Sequence, residues 1–396
     1  MYKRSQFYEL KSRIQEERYK IQVVTGPRQV GKSTMVRQVL EDVDIPHLSV
    51  SADGVDKDNK GWISEIWQSA RSIMEIGHHK QFILALDEIH KINNWSEMVK
   101  KEWDKDTMDH IDIKVILLGS SRLLIKDGLT ESLAGRYELI RMGYWSYDEM
   151  HDAFDVTLNQ FIYFGGYPGA VRFYGKETRW RRYIMDGIID PIINLDIRTT
   201  KIIYKPELMK RLLETGCLYS GKEISLTKLL GQLQEKGNVT TLASYLTTLN
   251  EAEILCGLQK YANDECRKYN SIPKLCVYNT GLLSALSGRS FENVFTSPQD
   301  WGRWVESAVG AHLLGKAEEE DYRVYYWRYN KLEVDFIIER NRQLVAIEVK
   351  SGMETTNSGL QVFNDKFHPH RSLIVAPNGL PIEEFLRINP ATLFDS

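Results

Sequence analysis

Cysteine is scarce: Cys217, Cys256, Cys266 and Cys276 are the four in 396 residues. They stand apart, with no Cys-x-x-Cys pair and no histidine cluster, which argues against a disulfide frame or a zinc site and for reduced thiols inside a cell. Long apolar runs are missing too. The longest, "FILAL" and "VILLG", are strand-length, far short of the roughly 20 residues that span a bilayer. The N-terminal "MYKRSQFYELKSRIQEERYK" is charged throughout and lacks the apolar core of a signal peptide, so a soluble, cytoplasmic protein with no membrane partner is expected. Charge of one sign is absent as well: 51 Lys+Arg face 54 Asp+Glu, a formal charge of -3. Any nucleic-acid contact must then come from local patches. No internal repeat or low-complexity tract occurs; residues 287–302, "SGRSFENVFTSPQDWG", read as a linker.

What remains is a globular composition too long for one core, so two or three domains are expected. The strongest signal is "KIQVVTGPRQVGKSTMVRQVLED". It reads as a buried strand, a glycine-rich loop, and a helix with apolar Met35, Val36, Val39 and Leu40 on one face. The loop Gly26-Pro27-Arg28-Gln29-Val30-Gly31-Lys32-Ser33-Thr34 has the spacing of a phosphate cradle. Backbone N–H groups and the helix N-terminus face the phosphates, Lys32 reaches the β- and γ-phosphates, and Ser33 offers a hydroxyl to magnesium.

"QFILALDEIH" adds an apolar strand ending in Asp87 and Glu88. One carboxylate orders magnesium and the second orients or deprotonates water, a pairing that favours hydrolysis over transfer to a small-molecule acceptor. The next strand, "IKVILLGSS", ends in Ser120, which at the same sheet edge would sense the γ-phosphate. In "ESLAGRYELIRM", Arg136 follows a small-residue turn and is a candidate arginine finger, in cis or from a neighbouring subunit. The second option calls for a homo-oligomer.

The stretches "TGPRQVGKST", "LDEIH" followed by "NNW", "LLGSSRLL", "ESLAGRYE", "FGGYP", "SIPKLCVYNTGLL" and "EVDFII…IEVKSG" together resemble prokaryotic AAA-type P-loop ATPases. In that family a P-loop module is joined to a winged helix and a PD-(D/E)xK, restriction-endonuclease-like region. The resemblance spans nearly the whole chain. It implies an α/β fold: a P-loop parallel sheet with an additional strand over 1–150, a helical lid over 151–200, a winged helix over 201–286 and an α/β nuclease-like domain over 287–396. It also implies ATP with Mg²⁺, and a nucleotide contact by Pro168 in "YFGGYP". Two departures stand out: Ser-Ser ends the third strand where Ser-Asn-Ser is common, and Asn279 stands where aspartate is usual.

In "KPELMKRLLETGCLYSG", "SLTKLLGQLQ" and "TTLASYLTTLNEAEIL" helical periodicity recurs, and "LCGLQKY" follows as a strand, the pattern of three helices and a wing. The third helix offers Thr, Ser, Tyr, Asn and Glu but no Lys or Arg, a poor set for phosphate neutralisation, so DNA and a protein partner both stay open.

"LEVDFIIERNRQLVAIEVKSG" sets Leu332, Val334 and Phe336 on one face and Asp335 on the other; Glu348 and Lys350 likewise lie opposite Val345, Ile347 and Val349. If Asn341-Arg342 is the tight turn, Asp335 faces Glu348; a slip by one residue makes it face Lys350 in a plain salt bridge. Two opposed carboxylates suit Mg²⁺ or Mn²⁺, with Lys350 positioning the attacking water for phosphodiester cleavage. By resemblance to PD-(D/E)xK nucleases, Glu306 in "WGRWVESAVGAHLL" joins the metal shell. Two readings follow: an ATPase coupled to a nuclease-like, DNA-interacting domain, or a signalling ATPase whose C-terminal domain is an inactive protein-interaction module.

Overall fold

Apolar runs without polar alternation belong to strands covered on both faces, and β1 (Ile21–Thr25), β3 (Phe82–Asp87) and β4 (Ile113–Leu118) are such runs. In the computed structural model they join β2 (His47–Ser51) and β5 (Tyr137–Arg141) in a parallel five-stranded sheet ordered β2-β3-β4-β1-β5. The structure describes all residues except 60, 120–128, 130–131, 198–202, 234–237, 263–270, 354–357 and 396, and the side chains of 195–197. Ser120 lies outside the described residues.

Helix α1 (Ser5–Gln15) precedes the sheet, and α2 (Lys32–Asp42) buries Met35, Val36, Val39 and Leu40, the stripe its periodicity requires. Helices α3 (Gly61–Ile76) and α4 (Trp95–Met108) bury Ile63, Trp67, Val99 and Trp103 in one cluster with β1, β3 and β4. Arg71 locks the two together, with Nη1 2.8 Å from Glu102 Oε2 and Nε 2.7 Å from Asp106 Oδ1. These elements form the first compact unit, Met1–Gly143.

Tyr144–Ser396 forms the second. Its helices include α5 (Pro206–Leu218), α6 (Leu226–Gln232), α7 (Val239–Glu251), α8 (Pro298–Ala317) and α9 (Ser358–Phe367). Six strands, β6 (Leu255–Lys260), β7 (Lys274–Val277), β8 (Arg323–Tyr329), β9 (Leu332–Arg340), β10 (Gln343–Val349) and β11 (Arg371–Val375), form a mixed sheet ordered β11-β10-β9-β8-β6-β7. The strand read as a wing therefore extends the C-terminal sheet: Gln259 and Lys260 of β6 pair parallel with Tyr325 and Tyr326 of β8. One hydrophobic cluster runs from Tyr147 through Trp180, Leu212, Leu249, Trp304 and Phe336 to Phe394. That cluster has members on both sides of positions 200/201 and 286/287. Periodicity finds each element, but not which faces share a core.

The supposed linker 287–302 is largely helical. Phe291 opens the short helix Phe291–Phe295, and its ring lies 5.4 Å from that of Tyr163 and 5.6 Å from that of Phe295. Aromatic anchoring outweighs the Ser, Gly and Asn content. Among the described residues no helix is long and apolar enough to cross a membrane.

Candidate functional site

In a parallel sheet every strand ends at the same edge, so the loops after β1 and β3 open together. After Thr25 the chain turns so tightly that a Cβ on Gly26 would collide with the Met142 carbonyl; only glycine fits. Gly31, at φ +94°, caps α2. Lys32 is buried and donates to the carbonyls of Gly26 at 2.8 Å and Pro27 at 2.6 Å, folding its ammonium back over the loop.

Ser33 Oγ donates to Asp87 Oδ2 at 2.6 Å, and Asp87 Oδ1 accepts from the Glu88 N–H at 2.8 Å. Fifty-four residues separate Ser33 from Asp87; the sheet alone brings hydroxyl and carboxylate together. This pair fits the hard-oxygen preference of magnesium. Glu88 holds a left-handed backbone, φ 53°, a conformation that costs energy for a non-glycine residue and clusters at functional sites. His90, absent from the sequence-based set, lies with Nε2 3.5 Å from Glu88 Oε2. Burial, then Lys91, Arg28 and Lys32, push it down to about 4, so it is neutral at pH 7.

Arg136 is elsewhere. Its carbonyl accepts from the Ile21 N–H at 2.8 Å, at the start of β1, and its guanidinium forks onto Asp104 of α4 at 2.8 and 3.0 Å. Five residues of strand, roughly 16 Å at 3.3 Å per residue, separate it from the phosphate loop of its own chain. A finger in cis is thereby excluded, because the residue enters β5 at the N-terminal edge of the sheet. Pro168 belongs to the second unit, where it heads a short 3-10 turn to Phe173. The glycines before it have a local cause: a Cβ on Gly165 would strike Asn279 Oδ1, and one on Gly166 the Trp145 carbonyl.

In the second unit the hairpin register is resolved. Asn341 and Arg342 have φ of 52° and 67°, as a two-residue type I′ turn requires. Pairing runs from Gln343↔Arg340 to Ile347↔Phe336, and its continuation sets Asp335 opposite Glu348. The alternation, however, breaks at Asp335. Tyr325 pairs with Ile337 but Trp327 with Val334, so Asp335 and Phe336 both stand opposite Tyr326 in a β-bulge. Val334 consequently packs with Ile337, Trp327 and Phe363, while Phe336 joins the main core on the other face. The expected shared face of Leu332, Val334 and Phe336 fails for this reason. These carboxylates are no wet-face decoration either: Asp335 is 6 % and Glu348 1 % exposed.

The bulge points Asp335 at a residue the sequence reading overlooked. Lys274 Nζ lies 2.6 Å from Glu306 Oε1 and 3.3 Å from Asp335 Oδ1. The second Asp335 oxygen, Oδ2, accepts from the Val349 N–H at 2.9 Å. Lys350 Nζ sits 2.6 Å from Glu348 Oε1. Burial opposes the charge on Lys274, but Glu306 and Asp335 outweigh it and hold the amine above its ordinary value. Burial, with Asp335 adding to it, pushes Glu348 up to about 7.

Among the described residues no three His, Cys, Asp or Glu side chains gather so as to hold a metal ion. With Lys274 charged, the expected set Glu306, Asp335 and Glu348 does not fit one. A divalent ion about 4 Å from the ammonium would meet a repulsion on the order of 8 kcal/mol at an effective dielectric of 20. The signal for Lys274 was a lone lysine entering the apolar strand "KLCV".

Residues 18–151 match the family model "AAA domain". Residues 156–293 match "Domain of unknown function (DUF8612)" and 301–390 "Domain of unknown function (DUF4143)". No curated protein matches the chain. Three solved structures are similar to parts of it. The Aeropyrum pernix Orc1 protein in complex with DNA is 12 % identical, over 73 % of this chain and 93 % of that one, with a TM-score of 0.31. Thermotoga maritima RuvB is 17 % identical over 63 % and 85 %, at 0.33. AMPPCP-bound DnaA from Aquifex aeolicus is 12 % identical over 62 % and 87 %, at 0.30. The family match identifies the N-terminal unit as bearing an AAA domain.

Proposed function

We propose that the chain is a magnesium-dependent ATPase whose AAA domain acts on a nuclease-like C-terminal unit. The hydrogen bond from Ser33 to Asp87 at the phosphate end of the sheet carries this reading. ATP lies along Gly26–Thr34. Lys32 exchanges the Gly26 and Pro27 carbonyls for phosphate oxygens, and the N-terminus of α2 adds its dipole. Magnesium, held by Ser33 and Asp87, supplies neutralisation of the phosphate charge. Glu88 orients the attacking water and takes its proton, while neutral His90 fixes the carboxylate. Arg136 serves as a finger toward a neighbouring subunit in a homo-oligomer, released from Asp104 on assembly.

For the C-terminal unit, the ammonium between Glu306 and Asp335 favours the non-cleaving, protein-interaction reading over DNA cleavage. The ATPase test is Glu88→Gln, which should retain ATP in a filter-binding or fluorescent-nucleotide assay and lose phosphate release. Normal turnover by this variant would overturn the role of Glu88. Mn²⁺- or Mg²⁺-dependent cutting of single-stranded, duplex or branched DNA, lost in Glu348→Ala, would instead establish the cleaving reading.

A further inference from the structure

Lys274 opens β7, where it pairs with Leu258 of β6 and bridges to Glu223, so backbone on both sides fixes its Cα. Its stem crosses Phe336, with Nζ 5.1 Å from the ring centroid. The ammonium then meets three oxygens: Glu306 Oε1 at 2.6 Å, Asp335 Oδ1 at 3.3 Å and the Asp335 carbonyl at 3.3 Å. The contact with Glu306 is an ion pair, and the two hydrogen-bond acceptors are the carboxylate and carbonyl oxygens of Asp335. The three oxygens come from α8 and from the bulge in β9. Without that extra residue Asp335 would keep the strand's alternation and share the face of Ile337, away from Phe336 and Lys274. Glu348 Oε2 is buried without a hydrogen-bond partner among the described residues. A cleft of about 320 Å³, lined by Glu223, Glu306, Glu333, Arg328 and Lys274, opens beside the group and gives an ion its way in.

We infer that Lys274 is a built-in cation: its ammonium holds the place of a divalent ion between Glu306 and Asp335, and its removal unmasks a latent divalent-cation site formed by those two carboxylates. The consequence for function deepens the non-cleaving reading above and rests on it. An organising charge that is covalently attached cannot be exchanged or chelated, so the carboxylates stay assembled whatever the metal supply.

The test uses the full-length, nucleotide-free protein, with bound Mn²⁺ counted by electron paramagnetic resonance and thermal unfolding followed with and without Mn²⁺. Wild type and a Glu306→Gln/Asp335→Asn double variant should bind the same number of Mn²⁺ ions. Lys274→Met should bind about one more, and Mn²⁺ should raise the unfolding temperature of its second unit by several degrees. A triple variant, Lys274→Met with Glu306→Gln and Asp335→Asn, should lose that gain. If Lys274→Met does not fold, the triple variant decides: its folding supports a role through charge, and its failure shows that the lysine stem is needed for packing, overturning the inference. A Mn²⁺ ion bound by wild type and lost in the double variant overturns it as well, as does a folded Lys274→Met that gains none. DNA cleavage by wild type would sink both the non-cleaving reading and this inference. A metal-silent Lys274→Met beside a wild type that cuts nothing would sink the inference alone.

Discussion

Both units place a lysine beside acidic residues, and they use it in opposite ways. In the first, Lys32 folds back onto the loop carbonyls of Gly26 and Pro27, leaving Asp87 to the Ser33 hydroxyl and Glu88 beside His90. In the second, Lys274 fills the space between Glu306 and Asp335. A carboxylate whose partner is a neutral hydroxyl can exchange it for a metal ion at little cost. One whose partner is a buried ammonium is already neutralised, and a second cation is repelled. The position of one amine therefore separates a site built to exchange ligands from one built to keep its shape.

The sharpest way to break this comparison is Lys32→Ala. Loss of a charge aimed at the transferred phosphate should lower ATP turnover by roughly 10²–10³-fold, read by phosphate release, with the unfolding of the second unit unmoved. If turnover survives, the amine is a structural staple in both units and the contrast fails.

Asp335→Asn tests the other half through its sign. If the carboxylates formed a metal centre without its ion, deleting one would relieve repulsion and stabilise the metal-free protein. With Lys274 as the organising charge, deletion leaves a buried ammonium with Glu306 as its remaining carboxylate partner. The expected cost is roughly 3 kcal/mol, the low end for breaking a buried pair because Glu306 stays. Chemical denaturation in the presence of a chelator measures it, and a gain in stability would favour the metal-centre reading.

Much of this was legible in the sequence. The strand, loop and helix of the phosphate cradle are contiguous, so spacing alone placed Gly26 to Thr34, and the stripe Met35, Val36, Val39 and Leu40 is buried as its period requires. Asp87 came from an apolar strand with an acidic end. Non-local features were hidden. Lys274 meets Glu306 and Asp335 across 32 and 61 residues, a juxtaposition that no local pattern encodes. The bulge at Asp335 inverts the strict alternation on which face assignment rests. For Arg136 its neighbours in sequence leave cis and trans both open, and only the direction of β5 puts it at the far edge of the sheet from its own phosphate loop.

A smaller effect separates the second unit's general stability from its charged cluster. His312 of α8 lies with Nε2 3.0 Å from the Ile388 carbonyl and its ring 5.7 Å from that of Phe385. Burial pushes it down to about 4, with Lys316 acting the same way and the Ile388 carbonyl opposing. A depressed value means the neutral ring stabilises the fold above the unfolded value near 6.5, and that contribution is lost as pH falls from there toward 4. His312→Gln should flatten acid destabilisation over that window by about 3 kcal/mol. An unchanged pH profile of unfolding would assign the acid sensitivity to the carboxylates instead.

The smallest effect concerns what sets the register of the hairpin. Arg342 occupies a left-handed conformation for which glycine is suited, and a side chain there costs about 1 kcal/mol. Glycine would relieve that cost, yet it frees the unfolded chain by an amount nearly as large. Arg342→Gly should therefore stabilise the second unit by no more than about 0.5 kcal/mol. Because the turn type is retained, Asp335 should remain opposite Glu348 and the Mn²⁺ count should stay that of wild type. Inserting one glycine after Arg342 is the contrasting case. It lengthens the loop and permits a one-residue slip, which would carry Glu348 to the other face of the sheet. The hairpin should then show faster amide hydrogen exchange at Val345–Val349. Unchanged protection there would mean that the pairing of β10 with β11, rather than the turn, holds the carboxylates in place.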